Sequence, residues 1–282
     1  MHLIQNLNTL PRLNLDHLDT SNFELRTKAR SLGFGRRLYY AEKQALWLKT
    51  QIPNISDSLK LSTQAEMGWQ RELDFYQVYA RSSELNFFLP HQIIQQPFKI
   101  GHDHFEHALI LVDARAHFQV MPHQQSITQI RQHLLQAVEP LVCLQELGYI
   151  HADLKQEHFV NDQGRVCLLD FEHVQSIYQN DTYELNATPR YMAPELFQGQ
   201  AKSLQSEVYA LGVIFYEWLS GQRLQATDYL DWALLHCQRL KIGLPESLQV
   251  FQGLLEDMLC KQQPHRLTDF KAVRSYLMTE IE

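Results

Sequence analysis

Two short segments gather the side chains most able to do chemistry. HADLKQEHFV (151–160) brings together two imidazoles (His151, His158), a carboxylate (Asp153) and an ammonium group (Lys155), and LLDFE (168–172) adds Asp170 and Glu172. Carboxylates accept protons or bind hard cations, and a lysine neutralises an anion. Such a set suits a reaction in which a proton moves and negative charge builds up. The first segment follows a helical pattern and precedes a strand. It therefore reads as a loop held by rigid elements, where catalytic groups are often placed.

Several elements must hold these segments. Strand-like stretches run over Phe23–Leu32, Arg37–Ala41 and Ala45–Thr50. Helical periodicity covers Ser62–Arg81, with Met67, Leu73, Phe75, Tyr76 and Tyr79 on a broad apolar face and Trp69 among the core aromatics. Strands Gln92–Ile100 and His107–Val112 follow, joined by a Gly-His-Asp-His turn. From Ser126, a suitable N-cap, apolar residues from Ile127 to Leu144 recur at helical spacing; Pro140 lies inside this run and Gly148 ends it. A hairpin pairs His158–Val160 with Val166–Asp170 around Asn161–Gly164, and helices follow at Ser206–Leu219 and Leu248–Leu259. Strands with one helix, then mostly helices, predict a bilobal α+β layout. Its parts are an N-terminal extension (1–22), a first lobe with an antiparallel sheet and one helix (23–113), and a mainly helical second lobe (114–282), with the hinge near Asp113–Ala116.

Composition narrows the function. Of 282 residues, 45% are hydrophobic and 20% charged, enough for a buried core. The net charge of −7 and the lack of a basic stripe argue against nucleic acid as the main partner. No apolar run reaches membrane-spanning length, and the N-terminus lacks a secretory signal, so the expectation is a cytoplasmic protein. Cys143, Cys167, Cys237 and Cys260 are scattered without a CxxC pair and read as reduced, mostly buried thiols. His102, His104 and His107 cluster, but they lack zinc-site spacing and read as solvated surface residues.

HADLKQEHFV resembles the catalytic loop of protein kinases, H-R-D-L-K-x-x-N, at His151, Asp153, Leu154 and Lys155. The resemblance implies that Asp153 accepts the substrate hydroxyl's proton, that Lys155 neutralises the moving phosphoryl group, and that His151 is structural. The lysine two residues after Asp153 is like that of serine/threonine kinases. Ala152 stands where the family has an arginine that receives an activation-loop phosphate. His158 stands where the family has a metal-holding asparagine, and imidazole suits Mg²⁺ less well than an amide oxygen. His158 is thus either a metal ligand or a histidine that only bonds the loop. LLDFE resembles D-F-G, which makes Asp170 a metal ligand. Glu172, grouped with it, replaces a glycine that permits a flip, so the loop should keep one arrangement. The His-Phe and Asp-Phe-Glu variants are also similar to lipopolysaccharide-core sugar kinases and other small-molecule kinases of this fold.

Further pieces extend the likeness over roughly residues 24–280. ATPRYMAPE (187–195) resembles the end of an activation segment, which implies that Thr188 meets Asp153 and that Glu195 pairs with Arg266. SEVYALGVIFYEWLSG (206–221) resembles the D-x-W-S-x-G helix, with Glu207 for aspartate. In the first lobe, Lys49 of LWLK matches the lysine that binds the α- and β-phosphates, and Glu72 its partner. Gly33 and Gly35 resemble a shortened glycine-rich loop whose amides suit phosphate, and Arg36 and Arg37 either help bind phosphate or are simply exposed. By position, Val112 is the gatekeeper, and Asp113 to Arg115 supply backbone contacts to adenine. Tyr178, Thr182 and Tyr183 lie in the activation segment, with no obligatory receptor for a phosphate there. The implied function is a serine/threonine-type protein kinase using ATP and Mg²⁺, or Mn²⁺, on a protein substrate. A pseudokinase interaction module and a small-molecule or glycan kinase are the alternatives.

Overall fold

The computed structural model describes residues 22–52, 59–80, 85–178 and 187–279. The expected extension, apart from Asn22, lies outside these residues, as do Thr182 and Tyr183. The chain divides into two compact units. One runs to Ala114 and takes in Cys167–Glu172; the other comprises Arg115–Val166 and the chain from His173.

The first unit is built on an antiparallel sheet of five strands in the order β1-β2-β3-β7-β4. These are β1 (Glu24–Leu25), β2 (Arg36–Ala41), β3 (Leu46–Gln51), β4 (His91–Ile94) and, after a separate hairpin of β5 (Phe98–Ile100) and β6 (Asp103–Phe105), β7 (Ala108–Val112). Alternation along β3 buries Leu46 and Leu48 with Tyr39, Ile94 and Ile110, and turns Lys49 to the other face. Helix α1 (Ala29–Leu32) takes half of the stretch expected as the first strand, which leaves only Glu24–Leu25 paired. The expected strand Gln92–Ile100 is broken between β4 and β5, and Gly101, at φ +61°, turns β5 into β6 rather than into β7.

Helix α2 (Leu59–Tyr79) buries Trp69, Leu73, Phe75 and Tyr76. Met67 was expected on this face but is 55% exposed. At 3.6 residues per turn it points about 160° away from Trp69. Phe171 packs against Phe75, Phe88, Tyr76 and Phe87 with centroids 5.0, 5.3, 5.5 and 5.9 Å away. This aromatic cluster anchors Cys167–Glu172, and Leu168 N–H donates to Phe87 O at 2.8 Å.

In the second unit, β8 (Arg115–Ala116) precedes α3 (Ile127–Glu146), which is opened by a capping box between Ser126 and Gln129 and continues through Pro140. Then come β9 (Tyr149–Ile150), β10 (Phe159–Asp162), β11 (Arg165–Leu168), along which the chain enters the first unit, and β12 (Gln175–Ser176). β10 pairs with β8 and β12 with β9. A short α4 (Pro194–Phe197) leads to α5 (Leu204–Ser220), α6 (Tyr229–Leu234), α7 (Gln252–Met258) and α8 (Phe270–Thr279). From Ser206 to Leu219, α5 is buried on every side, as a helix at a domain centre must be. The expected helix Leu248–Leu259 splits into a 3-10 segment, Glu246–Phe251, and α7. Only Cys167 is fully buried; the other three cysteines are half-exposed, and all four are free. Among the described residues no helix is long and apolar enough to cross a membrane.

Candidate active site

In the first unit, strand β3 delivers Lys49 into a ring of carboxylates. Its Nζ lies 2.6 Å from Glu72 Oε2, 2.7 Å from Asp170 Oδ1 and 2.7 Å from Glu172 Oε1. Burial works against the lysine's charge, but Asp170, Glu172 and Glu72 outweigh it and hold Lys49 well above its ordinary range. Burial pushes Glu72 up to about 7, with Asp170 and Glu172 adding repulsion and Lys49 opposing. Glu72 Oε1 also accepts the Phe171 N–H at 3.1 Å. Glu72, Asp170 and Glu172 each offer an oxygen within 4.8 Å of the others, the spacing of metal ligands. Carboxylate oxygens are hard donors of the kind Mg²⁺ prefers, so this set fits that ion.

The expected glycine-rich phosphate loop is not what the structure builds. Gly33 has an ordinary right-handed conformation at φ −62° and caps α1. The N–H groups of Phe34 and Gly35 donate to Ser31 O and Leu32 O, so those amides are engaged rather than open to phosphate. Gly35 does require glycine: its φ is +82°, and a Cβ there would stand 2.2 Å from Ile52 O. Arg36, expected to be either a phosphate contact or a plain exposed arginine, forms an ion pair with Glu172. Val112 N–H donates to Pro90 O at 3.2 Å. Asp113 donates its N–H to Ala45 O (2.7 Å), and its carboxylate accepts from Trp47 Nε1–H (2.7 Å).

In the second unit, the loop after β9 carries Asp153. Lys155 Nζ lies 2.6 Å from Asp153 Oδ2, and Thr188 donates its hydroxyl to Asp153 Oδ1 at 3.1 Å. Burial alone would raise the Asp153 carboxyl; Lys155 and then His158 overcome it and hold it below the ordinary range, ionised. The loop rests on α5. Ala152, at φ +66°, donates its N–H to buried Glu207 at 3.0 Å, and its carbonyl accepts from Lys202. Burial pushes Glu207 up to about 7 against the pull of Lys202. His151 is fully buried and His158 6% exposed, with their rings 5.2 Å apart. A cavity of about 20 Å³, room for a water molecule, lies among Asp153, Thr188, Lys202 and Glu207.

Arg266 and Glu195 form a buried two-pronged ion pair at 2.6 and 2.9 Å. Arg266 also donates to Gln205 O and Cys260 O and lies over the Tyr209 ring, so every face of the guanidinium has a role. Arg115 is exposed on β8, opposite Asn161.

Residues 89–278 match the family described as protein kinase domain, about two thirds of the chain. The chain belongs to the protein kinase family. This kinase domain is 31% identical over 147 residues to a cGMP-dependent protein kinase of Toxoplasma gondii, covering 52% of this chain and 13% of that one. It is 29% identical to the serine/threonine-protein kinase TIO of Arabidopsis thaliana (50% and 11% covered). It is 27% identical to the probable serine/threonine-protein kinase PknB of Lactococcus lactis (47% and 22%). The matches thus span well under half of each of these relatives.

The kinase domain also uses residues that the sequence did not single out. Arg36 and Arg71 both hold Glu172, the latter by donating to its backbone carbonyl at 2.7 Å. Lys202 steadies the catalytic-loop backbone. One signal was available: Gly68 sits inside a helix, where glycine is unfavourable, and a Cβ there would touch Glu172 at 3.5 Å.

Proposed function

We propose that the chain is an ATP-dependent, serine/threonine-type protein kinase that transfers the γ-phosphate of Mg-ATP to a protein hydroxyl. The observation that carries this reading is the Asp153–Lys155–Thr188 group, a buried ionised carboxylate with one oxygen on a lysine and the other on a threonine hydroxyl. On this reading a substrate hydroxyl takes the place of the Thr188 hydroxyl at Asp153, which orients it and takes its proton as the new O–P bond forms. Lys155 offsets the charge of the moving phosphoryl group. Lys49 binds the nucleotide phosphates, with Glu72 fixing its position. Asp170 and Glu172 hold the magnesium, which when bound screens the phosphate charge.

A protein substrate is favoured by the segment that ends in Thr188 and the Glu195–Arg266 clamp. Glu157, Glu217 and Arg223 line a cavity of about 440 Å³ with Phe118 and Trp218, and the chain's net charge of −7 favours a basic or neutral substrate. The test is transfer of radiolabelled phosphate from Mg-ATP to a generic basic protein, with Asp153→Asn as control. Incorporation that the substitution abolishes is expected. ATP binding without transfer would leave the pseudokinase reading, and transfer only to a sugar would leave the small-molecule one.

A further inference from the structure

Glu172 replaces a residue with no side chain, and its surroundings are built to receive it. Its carboxylate is almost fully buried, with 4% of the side chain exposed. Oε1 faces Lys49 Nζ at 2.7 Å, and Oε2 is paired with Arg36 of β2. Its backbone carbonyl accepts from Arg71 of α2 at 2.7 Å. Gly68, one turn before Glu72, presents no side chain where Glu172 lies, and a methyl group there would already be in contact. Burial disfavours the charge on Arg36, yet Glu172, Asp170 and Glu72 together raise its pKa, so it remains a guanidinium. Asp170, two residues before, is held at φ +67°, a left-handed conformation that a residue with a side chain rarely adopts. Such a conformation persists only where neighbours enforce it.

We propose that Glu172 is a positioning residue. Through Arg36, Lys49 and Arg71 it fastens the Asp-Phe-Glu turn to β2, β3 and α2, and so holds the Asp170 carboxylate in place before any nucleotide arrives. A glycine could make only the Arg71 contact. The carboxylate converts a turn that could flip into one tied from three elements, and its two oxygens divide the work: one faces the metal-ligating cluster and the other is spent on Arg36.

The purpose assigned to Asp170 rests on the kinase reading, but the test needs no transfer. Hydrogen–deuterium exchange is measured on the full chain without nucleotide at the Phe171 and Glu172 amides, with Ile110 of β7 as reference. Glu172→Gly is expected to speed exchange at Phe171 by about tenfold or more, as loss of charge-assisted bonds should, with Ile110 little changed. Arg36→Ala should give a smaller acceleration at the same amides, and Arg36→Lys should restore most of the protection. Adding Arg36→Ala to Glu172→Gln should do no more than Glu172→Gln alone. Unchanged exchange at Phe171 in both Glu172→Gly and Arg36→Ala would overturn the proposal. So would equal acceleration at Phe171 and Ile110, which marks general loosening. If Glu172→Gly does not fold, the Arg36 variants decide. Because no nucleotide is present, an inactive but latched protein would uphold this inference while removing the kinase reading.

Discussion

The two carboxylate centres of this chain balance their charge differently. Around Lys49, three carboxylates share one ammonium ion and the Arg36 guanidinium, and burial, with the neighbouring carboxylates adding to it, pushes Glu72 up to about 7. Around Asp153, one carboxylate has its own lysine, and its pKa falls. The first arrangement is short of positive charge and suited to take up a divalent cation. The second is already balanced, ionised and suited to receive a hydroxyl. The chain thus holds two electrostatic settings, because the first unit gathers acids of α2 and the Asp-Phe-Glu turn around the lysine of β3, while the second sets a single acid on a loop tied to α5.

The largest effect is expected from breaking the acidic centre itself. Asp170→Asn should lower phosphate transfer by about a thousandfold or more, measured as initial rate at fixed Mg-ATP, because it removes a ligand of the charge-screening ion. Breaking the clamp of the second unit should act on stability instead. Arg266→Ala leaves Glu195 buried and unpaired and should cost about 3–5 kcal/mol in urea unfolding.

A subtler probe is pH. Glu72 and Glu207 both titrate near 7 in the fold against an ordinary 4.5, so between these values the folded state holds more protons than the unfolded one. Their contribution to stability therefore falls as pH rises from about 4.5 to about 7. Glu207→Gln should flatten part of that fall in melting curves across the range. Asp153 runs the other way: its contribution is present above the ordinary 3.8 and is lost as pH falls below it. The smallest effect is a coupling. A cation entering the acidic centre should drive the proton off Glu72, so the melting shift produced by Mg-ATP should be larger at pH 8 than at pH 6. Glu72→Gln should remove that difference.

Much of this was legible because short motifs report local chemistry. Asp153, Thr188, Glu195 and Arg266 sit in segments that resemble protein-kinase motifs, the resemblance implied their pairing, and the structure brings each pair within bonding distance. The N-cap at Ser126 and the hairpin around Asn161–Gly164 were readable for the same reason. The glycine loop misled because Gly-x-Gly does not specify which carbonyls take its amides; here Ser31 and Leu32 do, at the end of a helix that the strand-like pattern concealed. The Arg36–Glu172 and Arg71–Glu172 links join residues far apart in sequence, and an arginine next to a strand looks the same whether solvated or buried in an ion pair.

The division of labour between the two centres is tested most directly by titrating ATP calorimetrically into Asp153→Asn and Asp170→Asn, each with and without Mg²⁺. The account predicts that Asp153→Asn binds Mg-ATP within about threefold of the unaltered chain, while Asp170→Asn loses the magnesium-dependent part of its affinity, about tenfold or more. Equal loss of binding in both variants, or magnesium dependence intact in Asp170→Asn, would contradict it.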